Sequence, residues 1–335
     1  MKYRETLKEF AEEPISDRER LRLFGLPIFD SLPELADIMH LDPARLITLA
    51  TKSRSFYKRF SIPKKSGGVR VIYHPSRELK AIQRWILHGI LNNLAPSDSA
   101  TAFSIKKGLI HNVEPHSLNR YFICIDLEDF FPSISHYRVR RVFKTLGYSQ
   151  DVASFLTELC TCNGGLPQGA VTSPSISNLV ASKLDRRLQG LLSRRNITYT
   201  RYADDLTFSS NNRNALVRVM PIVRDIIEDE EFRINDSKTR FMGPRAQCRV
   251  TGLVKNCTEP KFGIGRKTKR KMRAILHKII VRGSPCVEYP STRSISGWFS
   301  YCKSVDYNSY KQLSQYHFRL VAGAEGSGTA ESAHN

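Results

Sequence analysis

The pattern of hydrophobic and polar positions divides the chain into helical and strand-like stretches. Residues 3–50 alternate short helical patterns with prolines, which predicts a helical N-terminal extension. Residues 56–75 predict two strands joined by a turn rich in lysine and glycine, and residues 76–94 predict an amphipathic helix capped by Ser76. The apolar run in RYFICIDLEDFF predicts a strand that ends at Asp126.

Helical patterns dominate the rest of the chain. They predict helices in HYRVRRVFKTLGY and DVASFLTELCTC, one helix through SISNLVASKLDRRLQGLL, and another over 214–230. Between the last two, ITYTRYADDLTFSS (197–210) predicts a hairpin, and FRINDSKTRFM after them predicts a short strand and a turn. Residues 261–282 are strongly basic and partly helical, and residues 323–335 are expected to form a disordered tail.

Charge and cysteine content narrow the class of protein. The chain of 335 residues has 52 Lys and Arg against 32 Asp and Glu, a net charge of +20, with 41% hydrophobic residues. This is the composition of a folded basic protein, and nucleic acid is the first partner to expect. Seven cysteines without a CxxC pair indicate neither a disulfide framework nor a zinc site. The charged N-terminus and the lack of a long apolar run predict a cytoplasmic protein without membrane association.

Three carboxylates are the first candidates for chemistry. Asp126 follows an apolar strand, and Asp204 and Asp205 lie in the turn of a hairpin, so a sheet that pairs these strands would bring the acids to one rim. At about 4 Å and an effective dielectric near 20, two such charges repel by about 4 kcal/mol. An isolated Asp-Asp pair is usually a solvated turn, but this turn lacks the Gly or Asn that tight hairpins favour. The acids therefore predict a site for two Mg²⁺ ions that assist an in-line displacement at phosphorus.

The motifs resemble those of reverse transcriptases. YADD (202–205) is similar to their hairpin motif, DLEDFFPSI to the strand with the third Asp, and GLPQGAVTSPSISNL to their PQG loop and helix. RINDSKTRF and IPKKSGGVRVIYHPSRELKAIQ resemble the later lysine segment and the fingers. The resemblance implies an α+β right-hand polymerase with fingers, a palm made of an antiparallel sheet plus helices, and a helical thumb. We expect an N-terminal extension at 1–50, fingers and palm at 51–255, a basic thumb at 256–322 and the tail at 323–335.

The resemblance also implies residue roles. Asp126, Asp204 and Asp205 would bind metal and catalyse, and Lys238 would supply positive charge or a proton to departing pyrophosphate, although an exposed lysine is the alternative. Further residues would bind the nucleotide: Arg70 with Lys64 or Lys65 on the triphosphate, Phe131 beside the sugar 2′ position, and Gln168 at the incoming nucleotide or template. For Phe131 the alternative is a core aromatic, and for Gln168 a residue that only shapes its loop. For Arg70, Lys64 and Lys65 the alternative is a solvated surface charge.

Two short motifs resemble one bacterial branch, the retron reverse transcriptases. NVEPH (112–116) is close to their N-A-x-x-H signature, from which Val113 departs, and VTG (250–252) follows the lysine segment. Asn112 and His116 are predicted to bind nucleic acid, with a structural histidine as the alternative. The basic segment is predicted to follow phosphates, with a solvated charged face as the alternative, through Arg266, Lys267, Lys269, Arg270, Lys271 and Arg273. Trp298, Phe299 and Tyr301 are expected to pack in the thumb core rather than to stack on bases.

Membership of that branch would define substrate and partners. It implies reverse transcription of a cognate structured noncoding RNA, primed from a guanosine 2′-hydroxyl, into branched RNA-linked single-stranded DNA (msDNA) from deoxynucleoside triphosphates. It further implies anti-phage defence with a separate effector protein. Since no room remains after the thumb for an RNase H domain, a host RNase H would remove the template. The alternatives are a group II intron-like or abortive-infection reverse transcriptase, and a non-catalytic RNA-binding scaffold.

Overall fold

The computed structural model describes residues 17–64, 67–256, 259–281 and 292–328. Its helices are α1 (Asp17–Leu23), α2 (Leu32–Met39), α3 (Pro43–Thr51), α4 (Arg77–Gly89), α5 (Leu109–Val113), α6 (Phe130–Ser133), α7 (His136–Leu146), α8 (Gln150–Cys160), α9 (Ser173–Val180), α10 (Ser182–Ser193), α11 (Arg213–Arg218), α12 (Met220–Asp229), α13 (Gly265–Ile280), α14 (Thr292–Val305) and α15 (Tyr307–Gly328). Its strands are β1 (Tyr57–Pro63), β2 (Val69–Pro75), β3 (Tyr121–Leu127), β4 (Thr198–Tyr202), β5 (Asp205–Ser210), β6 (Ile234–Met242), β7 (Arg249–Val250), β8 (Leu253–Lys255) and β9 (Phe262–Gly263). Short 3₁₀ turns follow α3, α4 and α5, the last of them over Glu114–His116.

The chain divides into two compact units, each made of three segments. The first unit contains Met1–Ser104, Leu127–Gly190 and Pro221–Asn235, and the second contains the remaining segments Ile105–Asp126, Leu191–Met220 and Asp236–Asn335. The boundaries predicted from sequence follow the chain, whereas these units are interleaved along it. The fingers, palm and thumb boundaries therefore stay predictions.

The first unit combines the β1–β2 hairpin with helices. Strands β1 and β2 pair antiparallel from Tyr57 opposite Pro75 to Pro63 opposite Val69. Ser76 accepts a hydrogen bond from the backbone N–H of Leu79, so it caps α4 as the sequence predicted. Leucine and isoleucine side chains of α4 are fully buried, which anchors this amphipathic helix in the core of the unit.

The second unit contains an antiparallel sheet with the order β4-β5-β3-β6. Both β3 and β4 pair antiparallel with β5, so the hairpin predicted over 197–210 is confirmed and β3 lies beside it. A second, three-stranded sheet has the order β7-β8-β9. The fold is α+β with an antiparallel sheet, as expected for a right-hand polymerase.

The two faces of the β4–β5 hairpin differ in chemistry. Tyr199, Leu206 and Phe208 are buried, and the rings of Tyr199 and Phe208 stack with centroids 5.2 Å apart, so one face is a hydrophobic core. The other face contains the alternate residues, which are mostly polar: Thr198, Thr200, Tyr202, Asp205, Thr207 and Ser209. We call this second set the polar face.

Several elements differ from the sequence prediction. The single helix predicted through SISNLVASKLDRRLQGLL is two helices, α9 and α10, and the one predicted over 214–230 is α11 and α12. Pro221 lies in the first turn of α12, where its missing N–H is tolerated, so a new helix starts there. The short strand and turn predicted in FRINDSKTRFM is one continuous strand, β6, because pairing with β3 keeps it extended.

The disordered tail predicted over 323–335 overlaps the end of helix α15. Helix α15 extends to Gly328 although Gly323, Gly326 and Gly328 disfavour helix, since lengthening an existing helix needs no new nucleus. Residues 329–335 lie outside the described residues.

The cysteines that the structure describes as free thiols are all buried: Cys124, Cys160, Cys162, Cys248 and Cys302. In the described part of the chain, no helix combines the length and the apolar character needed to span a membrane.

Candidate active site

The register of the sheet brings the predicted carboxylates to one edge. Asp126, near the end of β3, lies directly opposite Asp205, the first residue of β5. Directly opposite residues of antiparallel strands have their Cβ atoms about 4.5–5.5 Å apart on the same face. Asp204 lies in the turn that precedes Asp205. Three acids therefore meet at the end of the polar face.

The turn between β4 and β5 is tight and strained. Tyr202 pairs with Asp205, which leaves Ala203 and Asp204 as a two-residue turn. Ala203 has φ +56°, a value that glycine adopts more readily at the first central position of such turns. The buried side chain of Arg201 donates a hydrogen bond to the carbonyl oxygen of Ala203 at 3.3 Å. The surrounding structure thus holds the acids in a conformation that local preference alone disfavours.

Burial and neighbouring charges change the protonation of the acids. Burial, followed by Asp204 and Asp126, raises the pKa of Asp205 to about 6, while Arg240 and Lys238 oppose the rise. The Lys238 Nζ donates to both carboxylate oxygens of Asp126, at 3.0 and 2.8 Å. This hydrogen bond raises the pKa of Lys238 above its usual value. Lys238 is therefore next to the acids, as predicted, and compensates part of their charge.

The residues predicted to bind the nucleotide lie in the first unit. Arg70 and Lys64 are exposed on the β1–β2 hairpin, and Lys65 lies outside the described residues. Phe131 is half-buried, with its ring centroid 6.1 Å from that of Phe103. The Gln168 carbonyl oxygen accepts a hydrogen bond from the N–H of Tyr73 at 2.8 Å.

The PQG loop packs closely on strand β2. Gly169 has φ +121°, and a Cβ atom there would lie 2.8 Å from the carbonyl oxygen of Tyr73. Only glycine fits without displacing one of the two backbones. The close contact fixes the position of the loop, and so of Gln168, against the β1–β2 hairpin that contains Arg70.

Asn112 and His116 do not fit the predicted contact with nucleic acid. Both side chains are 0% exposed, and both bond to protein groups. A phosphate or base cannot reach a side chain that is completely covered by the fold, so the prediction is corrected and the structural alternative holds for His116.

The basic segment of the second unit forms one face of α13. Met272, Ile275 and Leu276 are buried on its other face. Among the predicted cations, Lys269 is half-buried and donates to Gln312. The others are exposed: Arg266, Lys267, Arg270, Lys271 and Arg273. Trp298 and Phe299 are half-buried and pack against a core that α13–α15 share with strands such as β3 and β8, which confirms the packing role expected for them. Tyr301 is 37% exposed.

Sequence reasoning missed several buried polar residues that support these elements. Gln83 is fully buried on α4, where it donates to the Tyr57 hydroxyl at 2.7 Å and to the Leu159 carbonyl at 2.9 Å. Its carbonyl accepts from the N–H of Val171, just after the PQG loop, at 3.3 Å. A glutamine on the apolar face of an amphipathic helix was the available signal. The sequence contained no such signal for the buried Arg201, nor for Arg240, an exposed residue whose charge opposes the rise in the pKa of Asp205.

Comparison with known proteins identifies the family. The family model described as reverse transcriptase (RNA-dependent DNA polymerase) matches residues 62–255. The retron Ec86 reverse transcriptase of Escherichia coli is 39% identical over 90% of this chain and 92% of the relative. This chain belongs to the retron reverse transcriptases. The retron Mx65 reverse transcriptase of Myxococcus xanthus is 35% identical over 79% of this chain and 66% of that protein. A telomerase structure from Candida albicans aligns with 78% of this chain and 55% of its own, with 13% identity and a TM-score of 0.48.

Membership gives this retron reverse transcriptase its activity. It is an RNA-directed DNA polymerase. Retron reverse transcriptases act with a noncoding RNA and use deoxynucleoside triphosphates, and reverse transcriptases in general use divalent metal ions. The acidic edge of the sheet is the candidate for that chemistry.

The donor set at this edge suits a divalent cation. Carboxylate oxygens are the ligands that Mg²⁺ prefers, and a cation would offset the burial and the repulsion by Asp204 and Asp126 that together raise the pKa of Asp205. Among the residues that the structure describes, no three His, Cys, Asp or Glu side chains form a ready metal cage. The exposed Lys238 is a cation that the structure places at this edge, where it donates to both oxygens of Asp126.

Proposed function

We propose that this retron reverse transcriptase copies a cognate structured noncoding RNA into msDNA, starting from the 2′-hydroxyl of an internal guanosine. The observation that supports a polymerase site in this chain is the register of Asp126 against Asp205, with Asp204 in the adjoining turn. The choice of RNA, the branched linkage and the priming guanosine rest on the resemblance to retron enzymes.

The roles of individual residues follow from their chemistry. Asp126, Asp204 and Asp205 would hold two Mg²⁺ ions, which when bound would activate the attacking hydroxyl and stabilise the pyrophosphate. Lys238, whose Nζ is 2.8 Å from the Asp126 carboxylate, would provide positive charge or a proton to the leaving pyrophosphate. These four residues are the catalytic residues of the proposal.

Residues of the first unit would bind the incoming nucleotide. The exposed Arg70 and Lys64, together with Lys65, would bind its triphosphate, for which a guanidinium group has suitable geometry. Phe131 would exclude a 2′-hydroxyl, and the contact of its ring with Phe103 favours a fixed position for that ring. Gln168 would face the nucleotide or template from a loop that Gly169 holds against β2.

The exposed cations of α13 would bind the phosphates of the RNA or of the growing duplex. Arginine and lysine side chains on one helical face follow a nucleic-acid backbone without reading its sequence. Neutralising about 6 to 10 phosphates would lower affinity by roughly 10³ to 10⁵ between 50 and 200 mM salt.

The wider role of the enzyme is proposed from its family. It would act in the cytoplasm, where its nucleotides and RNA are available, within an anti-phage system that includes a separate effector protein. A host RNase H would remove the copied template.

Expression of the gene with its native flanking DNA tests the proposal. Small nucleic acids are extracted and treated with RNase and with DNase. A discrete DNA band that RNase shortens without destroying, with an RNase-resistant branched nucleotide at its 5′ end, is expected from the wild type. Asp204→Ala should abolish the band while the purified variant still binds the RNA.

Three other results would contradict parts of the proposal. No band, together with primer extension by the purified protein on any RNA, would indicate an intron-like or abortive-infection enzyme. A band that survives Asp204→Ala would remove Asp204 from catalysis. No synthesis in either assay, with RNA binding retained, would indicate a scaffold.

A further inference from the structure

Asn112 and His116 bind the two strands of the hairpin that ends in the catalytic acids. The His116 Nδ1 is 2.6 Å from the Ser209 Oγ on β5, and its Nε2 is 2.8 Å from the Thr200 Oγ1 on β4. The Thr200 Oγ1 is also 2.8 Å from the Asn112 Oδ1 and 3.0 Å from the Asn112 carbonyl oxygen. One short segment therefore connects both strands of the hairpin.

The hydrogen bonds can be assigned so that each group has a partner. The Thr200 hydroxyl donates to Asn112 and accepts from the Nε2–H of His116. The Nδ1 of His116 then accepts from the Ser209 hydroxyl, whose oxygen accepts from the Nδ2–H of Asn119 at 2.8 Å. Burial lowers the pKa of His116 to about 3, so the ring is neutral, as this assignment requires.

The contacts lie close to the acids along the strands. Thr200 is directly opposite Thr207, which is two residues from Asp205 on the same face of β5. At about 3.4 Å per residue, the bonded row is roughly 7 Å from the row of Asp126 and Asp205. A rotation of the hairpin at Thr200 would therefore displace the carboxylates.

The same segment is anchored on its other side. Val113, between the two polar residues, is 1% exposed and packs in a core with Phe122, Met272, Ile275 and Cys302. Asn112 also donates to the Thr251 hydroxyl of the VTG motif at 3.3 Å. The segment is thus fixed by hydrophobic packing while its polar side chains bind the hairpin.

We propose that Asn112 and His116 are positioning residues, which fix the orientation of the catalytic hairpin through Thr200 and Ser209. The proposal rests on the assignment of Asp204 and Asp205 as catalytic residues. It gives the NVEPH segment a role in the speed of nucleotide addition, and none in direct recognition of RNA.

Thr200→Val tests the proposal, because it removes the shared hydroxyl and keeps the shape of the side chain. Single-turnover incorporation of one deoxynucleotide is measured on an arbitrary RNA template with a DNA primer. We expect the maximal rate to fall by about 10-fold to 100-fold, since small misplacements of catalytic groups have effects of this size. The affinities for primer–template and for nucleotide should stay within twofold. Thr200→Ser, which restores the hydroxyl, should recover most of the rate.

Thr157→Val is the matched control. Thr157 is also buried, and its hydroxyl donates to the Ala153 carbonyl of its own helix α8, in the first unit. The control should keep the wild-type rate. If both valine variants show the same decrease in rate and in thermal stability, the effect of Thr200 is general destabilisation and the proposal is wrong.

Substitutions of His116 provide a second measurement should Thr200→Val fail to fold. The amide of His116→Gln can reach the position of Nε2 and bond Thr200, whereas that of His116→Asn reaches only the position of Nδ1 and Ser209. We expect His116→Gln to retain more of the maximal rate than His116→Asn. Equal rates at the wild-type level for both would refute a positioning role.

Comparison of Asp204→Ala with Thr200→Val distinguishes failure of the positioning role from failure of the catalytic assignment on which it rests. If Asp204→Ala keeps synthesis, the assignment of the catalytic hairpin fails. If Asp204→Ala abolishes synthesis but Thr200→Val is within twofold of the wild-type rate, only the positioning role fails. Loss of native RNA binding by Thr200→Val, with an unchanged rate on the arbitrary template, would instead assign the segment to RNA recognition.

Discussion

Replacing Asp205 by asparagine removes a charge that destabilises the metal-free fold. Burial, Asp204 and Asp126 raise the pKa of Asp205 from 3.8 to about 6. At 1.36 kcal/mol per pKa unit, the charged form costs the folded protein roughly 3 kcal/mol above pH 7. Asp205→Asn should therefore raise the free energy of unfolding at pH 8 by up to about 3 kcal/mol, although the variant should synthesise no DNA.

The sign of the pH dependence follows from proton binding. Because the folded-state pKa is above the unfolded value of 3.8, the folded protein keeps a proton on Asp205 at pH values where the unfolded chain has released it. The stability from this proton is present below pH 4 and is lost as the pH rises through about 6. The difference between Asp205→Asn and the wild type should be small near pH 4 and reach its full size by about pH 7.

Urea unfolding of chelator-treated protein at several pH values between 4 and 8 measures this difference. Asp225→Asn, an exposed acid on α12, is the matched control and should show no such growth with pH. A difference that does not change with pH, or an Asp205→Asn variant that is less stable than the wild type at pH 8, would refute the reasoning. Added Mg²⁺ should stabilise the wild type more than the variant, since a ligand of the folded state shifts the equilibrium by mass action.

Three further predictions concern the PQG loop, the hairpin turn and the basic helix. Gly169→Ala should lower the free energy of unfolding by roughly 2–4 kcal/mol and raise the KM for nucleotide, because the new Cβ would lie 2.8 Å from the Tyr73 carbonyl oxygen. Steady-state kinetics checks the KM, and Gly190→Ala at an exposed glycine is the control. Ala203→Val should lower the free energy of unfolding in urea by about 1–3 kcal/mol, whereas Ala203→Gly should be tolerated at φ +56°. Replacing Arg266, Arg270 and Arg273 by glutamine should reduce the log–log slope of RNA affinity against salt by about one unit for each phosphate that is no longer neutralised, and Lys144→Gln on α7 should leave the slope unchanged.

Local patterns were sufficient for most elements of the fold. The alternation in 197–210 and the apolar run before Asp126 predicted strands that the structure confirms, because period-two alternation is a property of the strand itself. The cap at Ser76 was predicted for the same reason, since its bond reaches only three residues along the chain. The lengths of the helices and strands were less predictable. Strand β6 is extended over its whole length because a neighbouring strand pairs with it.

The motifs specified the chemistry of the site but not how charge is balanced there. The sequence shows three acids and a lysine, and only the tertiary structure shows that Lys238 binds Asp126 and that burial makes Asp205 the acid with the raised pKa. Arg240 and Arg201 were not predicted, because nothing local distinguishes them from other arginines in a chain of net charge +20.

The sequence by itself determined the family, most of the helices and strands, and the types of residue available for catalysis, because these depend on local order and on short motifs along the chain. The tertiary structure alone decided the environment of each side chain. Asn112 and His116 have the spacing of a family signature, yet their burial against Thr200 and Ser209 makes them structural partners of the hairpin instead of RNA ligands. The fold joins His116 to Ser209 across 93 positions of the chain, and a contact over such a separation leaves no periodic trace in the sequence.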